Sequence, residues 1–132
     1  MNLDLHHIHL LGKAYLRNPP VDEQSANDWL LDLVATIEMK VLIGPFSIHC
    51  ETLGNEGVTG AVVIETSHCS GHFWHKVERP FVTFDVYSCV NFSPETVLKN
   101  LHKHFDVEVC EYALIDRNDT IKIIESGNWS PY

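Results

Sequence analysis

The residues best able to do chemistry lie in one stretch, Gly57-Val58-Thr59-Gly60-Ala61-Val62-Val63-Ile64-Glu65-Thr66-Ser67-His68-Cys69-Ser70-Gly71-His72-Phe73-Trp74. The run from Gly60 to Thr66 reads as a buried central strand that delivers Ser67 and His68 to its end, followed by a polar turn from Ser67 to Gly71. Three chemistries fit these residue types. His68, His72 and His75 with Cys69 or Cys89 offer metal donors, although their spacing matches no standard zinc pattern. Ser67 or Cys89 with a histidine base would make a nucleophile, but no Gly-x-Ser-x-Gly elbow is present. Ser67 could also react with its own backbone, which neither composition nor spacing would suggest.

The elements that must position this stretch follow from periodicity. Leu5 to Leu16 reads as a strand, stopped by Asn18-Pro19-Pro20. Trp29, Leu30, Leu33, Val34 and Ile37 recur at helical spacing, and Trp29 and Leu33 are expected in the core. Lys40 to His49 is a second strand that Gly44-Pro45 can bend, and Glu51 to Gly57 is a loop. From Phe81 to Val90 the sequence alternates, with Val82, Phe84 and Val86 on one face and Thr83, Asp85, Tyr87 and Cys89 on the other. Ser93-Pro94-Glu95 opens a second helix carrying Val97, Leu98, Leu101 and Phe105. Val107 to Ile115 and Ile121 to Glu125 close the series as strands. The order β-α-β-β-β-α-β implies an α+β two-layer sandwich, a mostly antiparallel sheet with two helices on one face, and hints at an internal duplication. One sheet face is left uncovered, for which a homodimer is the expected solution.

Composition narrows the partners. The chain has 132 residues, one domain by length, with nine Lys and Arg against eighteen Asp and Glu and a net charge of −9. Such an acidic surface disfavours nucleic acid and anionic membranes. No apolar run is long enough for a bilayer, and Met1-Asn2-Leu3-Asp4 does not open like a signal peptide. A cytoplasmic location is therefore expected, with four free cysteines that form no Cys-x-x-Cys pair. Cys50, Cys69 and Cys110 read as structural, and His6, His7, His9, His102 and His104 as exposed.

The Gly-Val-Thr-Gly-Ala-Val-Val-Ile run, then Ser67-His68, His72 and Trp74, then Asp85-Val86-Tyr87-Ser88-Cys89, resembles the small prokaryotic S-adenosylmethionine decarboxylase proenzymes. His49 also sits where that family keeps a histidine. The resemblance implies a self-processing enzyme of polyamine synthesis that cuts itself between Thr66 and Ser67. Ser67 would become a pyruvoyl group, the cofactor that forms a Schiff base with the amine of a small amino-acid-type substrate. Thr59 would stabilise the tetrahedral adduct, His72 would assist loss of the Ser67 Hα, and Cys89 would be the proton donor in decarboxylation. No metal is implied.

The chain departs from the family at three places. Thr66 stands where the family has Glu, with Glu65 one place early, and the segment between His72 and Cys89 is longer. The aromatic residue expected shortly after His49 is missing, and Cys50-Glu51-Thr52-Leu53 stands there instead. Glu51 would suit a second ammonium group, so ornithine or arginine is the alternative substrate, with a non-processing regulatory paralogue a further reading. His68 and Trp74 join Glu51 as expected substrate contacts, and Phe46, Phe73, Trp74 or Tyr87 could supply a stacking surface.

Overall fold

The computed structural model describes residues 6–132, so the expected start of the first strand at Leu5 lies outside the described residues. The elements run β1 (Ile8–Leu16), α1 (Glu23–Thr36), β2 (Val41–Cys50), β3 (Gly57–Ile64), β4 (Ser67–Trp74), β5 (Phe81–Ser88), α2 (Pro94–Phe105), β6 (Val107–Asp116) and β7 (Lys122–Trp129). The strands form one antiparallel sheet in the order β2-β3-β4-β5-β1-β6-β7. Both helices cover the same face, giving the α+β two-layer sandwich that the pattern predicts.

Each helix is built to lie on that face. Asp22 caps α1, its carboxylate accepting from the Ser25 amide at 2.8 Å, and its pKa is lowered by that bond. Ala26, Trp29, Leu30, Leu33 and Val34 then form one buried stripe. Pro94 starts α2, but the Ser93 side chain makes no capping bond, so position rather than the hydroxyl marks that start. Asn100 donates to Asp32 at 3.0 Å and His104 bonds the same carboxylate at 2.7 Å, which ties α2 to α1. The hydrogen bond from His104, opposed by burial and aided by Lys103, lowers the Asp32 pKa.

Beneath α1 the sheet is made low by small residues. Gly60, Gly71, Phe84 and Gly12 lie in one row across β3, β4, β5 and β1. A methyl group on Gly71 would come within 2.7 Å of the Trp29 ring, and one on Gly12 would collide with the Phe84 ring. Trp29, Phe73 and Phe105 pack edge to face, with centroids 5.0 to 6.1 Å apart.

Three expectations need correction. The third strand ends at Ile64 rather than Thr66, and Ser67 to Gly71 is not a turn but the start of β4. The period-two pattern is real: Ser67, Cys69, Gly71 and Phe73 point inward while His68 and His72 are exposed. Small inward residues under Trp29 make it look like a turn. The expectation that His6, His7, His9, His102 and His104 are exposed also fails; all five are half-buried, and the rings of His7, His9, His102 and His104 are hydrogen-bonded.

Gly71→Ala is expected to destabilise the fold by about 1–3 kcal/mol, because the added methyl must displace a fully buried indole. A lower urea midpoint with unchanged slope is the outcome that checks it.

Candidate functional site

The site starts from a two-residue connection. Ile64 pairs with Ser67, leaving only Glu65 and Thr66 to turn the chain from β3 into β4. Thr66 takes φ +60°, a left-handed conformation that is unfavourable for a β-branched residue by roughly 1–2 kcal/mol. Its hydroxyl lies 2.7 Å from the Glu65 carbonyl oxygen and 2.7 Å from Cys89 Sγ.

Across the sheet, β5 ends at Ser88 and Cys89 follows it, so Cys89 leaves the alternation and is buried instead of sharing a face with Asp85 and Tyr87. The Cys89 amide donates to Ser67 Oγ at 2.9 Å, and its thiol faces the Glu65 carbonyl at 3.8 Å. Ser67 is only 6% exposed. Thr66 and Cys89 open on a cavity of about 420 Å³, lined also by His7, Glu38, Met39, Lys40, Glu65 and Val90. Burial pushes the other two inward thiols, Cys69 and Cys110, up to about 12. That suits the structural role expected of them.

The remaining expected residues fall elsewhere. Thr59 and His72 pair across β3 and β4, Oγ1 to Nδ1 at 3.1 Å. His72 is five residues along β4 from Ser67, about 16 Å at strand spacing, and on the opposite face. Trp74 lies further still along β4, its indole donating to Asn55 at 2.9 Å and stacked on Phe81. Glu51 is exposed beside His49, at that same far end of β4. Within one chain the expected residues thus fall into separate places, Thr66, Ser67 and Cys89 at one end of β4 and the Thr59–His72 pair further along it. His75 lies past the end of β4, against His49, so His68, His72 and His75 do not converge on a metal.

His68 enters a cluster that the sequence reading missed. Asp85 Oδ2 receives His9 Nε2 at 2.8 Å and His68 Nε2 at 3.1 Å, and Ser70 donates to Oδ1. Arg117 donates to His9 Nδ1 at 3.2 Å and stacks on Tyr87, which bonds His7 at 2.9 Å. Burial alone would raise the Asp85 pKa, but the bonds from His9 and Ser70 and the nearby His68 bring it below the ordinary carboxylate value. The donor atoms of His9, His68 and Asp85 lie within 4.8 Å of one another, close enough for a metal. Arg117 decides against it: its N–H occupies Nδ1, so His9 Nε2 carries the proton and has no lone pair to give. The signals for Asp85 were its place on the polar side of the β5 alternation and in the family-like run that ends at Cys89, with no hint of its partners on β1 and β4.

The S-adenosylmethionine decarboxylase family model matches residues 8–118. No curated protein matches the chain. No helix among the described residues is long and apolar enough to cross a membrane.

Two outcomes follow. Iodoacetamide at neutral pH should leave Cys69 and Cys110 unmodified in the folded protein, as peptide mapping would read, because their thiols stay protonated and buried. Asp85 has a depressed folded pKa, so its stabilisation is complete above the ordinary aspartate value of 3.8 and is lost as pH falls through the lower folded value. The urea midpoints of wild type and Asp85→Asn should therefore differ at neutral pH and converge in acid.

Proposed function

Because the chain belongs to the S-adenosylmethionine decarboxylase family, we propose that it is a self-processing decarboxylase whose Ser67 becomes a pyruvoyl group. One observation carries this reading: Ser67, a strained Thr66 and the Cys89 thiol share one buried corner that opens on a substrate-sized cavity. A group made from the backbone of residue 67 needs that protected strand start, and the residues present fit it. When formed, its ketone supplies an electron sink for the carbon that loses CO₂.

The processing steps balance using this chain's own atoms and water. Ser67 Oγ adds to the Thr66 carbonyl carbon and the peptide C–N bond breaks, leaving an ester and a free amine on residue 67. Loss of the Ser67 Hα expels the Thr66 carboxylate and leaves dehydroalanine. Water then replaces the nitrogen, which leaves as ammonia. Cleavage also frees Thr66 from its left-handed turn, so the strain there favours the forward direction. In turnover, Cys89 Sγ faces the cavity where the carbanion would need a proton.

Thr59 and His72 serve processing only if a second copy brings them to Ser67, since about 16 Å of strand separates them within one chain. A homodimer through the helix-free sheet face supplies that copy. On this face Phe46 is 69% and Ile48 66% exposed, next to Ile43 and Val63.

S-adenosylmethionine is the substrate we favour, to feed polyamine synthesis, with the His7 imidazole the ring nearest to hand for stacking adenine. A specific observation favours ornithine or arginine as the second reading: Glu38 and Glu65 line the cavity, and among the described residues no Phe, Tyr or Trp is in its wall.

Carboxyl-labelled S-adenosylmethionine should release CO₂ with wild type and not with Ser67→Ala, measured beside ornithine and arginine. Release from the latter two alone selects the second reading, and release by Ser67→Ala contradicts both. For the dimer, co-expressed Ser67→Ala and His72→Ala chains should restore cutting of the His72→Ala chain, which stays whole when expressed alone. A chain left whole in the mixture contradicts delivery by a second copy.

A further inference from the structure

Cutting the chain at residues 66 and 67 poses a mechanical problem that the uncut fold does not have. In the uncut protein the start of β4 is tied covalently to β3 through Glu65 and Thr66. After the cut, residue 67 is a strand end, and strand ends fray. Fraying there would carry the reactive ketone away from Cys89. A misplacement of about 1 Å is enough to lower a rate a hundredfold.

The ties that survive the cut are lateral. His68 pairs with Tyr87 through the backbone, and beyond that its side chain reaches Asp85 Oδ2 at 3.1 Å. Ser70, two residues on and on the same face, donates to the other oxygen of the same carboxylate. Asp85 is itself held from the far side by His9 on β1, and His9 by Arg117, which follows β6. The chain of bonds thus crosses β4, β5, β1 and the end of β6, and none of it passes through the bond between residues 66 and 67. Its polar groups sit on the sheet face away from the helices, so the core does not hold them in place. The rings of His9 and Tyr87 flank His68, with centroids 5.8 and 5.6 Å away.

We infer that Asp85 is a positioning residue: by gripping His68 and Ser70 it keeps the newly cut start of β4 beside Cys89 during turnover. This rests on the proposed self-cleavage. Asp85 touches neither Ser67 nor the cavity wall, and it acts through His68.

Asp85→Asn, His68→Phe and the double variant test it in the full chain. His68→Phe keeps a ring between His9 and Tyr87, so it carries the test if Asp85→Asn folds poorly. Both single variants should still cut, by intact mass, while kcat for CO₂ release falls about 10- to 100-fold with KM within about twofold of wild type. Amides of residues 68–70 should exchange about tenfold faster than wild type in cut protein, but near the wild-type rate when Ser67→Ala keeps the chain whole. The double variant should be no slower than the worse single one, because both remove one tie. Cut variants with wild-type kcat and exchange, or losses that simply add, overturn the inference while leaving the decarboxylase reading intact. A wild-type protein that never cuts overturns both.

Discussion

Two residues are all that connect β3 to β4, and the rest of the site is a consequence of that economy. With Ile64 paired to Ser67, Thr66 has to turn the chain in a conformation better suited to glycine. The same register fixes which way every side chain of β4 points. Ser67 goes inward to meet the Cys89 amide, and His68 goes outward to Asp85. A slip of one residue would exchange these faces and place neither group where it can act.

The sheet serves two purposes on its two faces. Toward the helices, the row of Gly60, Gly71 and Gly12 lets Leu30, Trp29 and Phe84 settle deeply, which gives β4 a rigid back. Toward the other side, polar groups near Asp85 lie beside the Thr59–His72 pair, and an apolar strip on β2 and β3 remains exposed. Chemistry needing both faces of one strand cannot be completed by a single chain of this shape. That constraint, more than composition, is why a second copy enters the account.

Much of the fold was legible because its signals are local. The stripe of Trp29, Leu30, Leu33 and Val34 and the alternation of Val82, Phe84 and Val86 can each be read without knowing what they pack against. The start of β4 was not legible, since its inward residues are Ser, Cys and Gly, chosen for the indole above them. Of the site, Ser67 and Cys89 stood out through a family resemblance, but their contact depends on Cys89 leaving the β5 alternation. Asp85 was visible as a polar residue on a strand and as the start of the family-like run to Cys89, without any role of its own. Its importance comes from partners 76 and 17 residues away, His9 and His68, which no spacing rule connects.

The bond between Thr66 and Ser67 is the most direct place to look. Intact-mass spectrometry of purified, folded protein, followed over time and after treatment with a carbonyl-reactive hydrazide, reads its state. The account predicts two chains that meet between Thr66 and position 67, the second without a free amine and gaining the mass of one hydrazide. A single unbroken 15.0 kDa chain that takes up no hydrazide would contradict it.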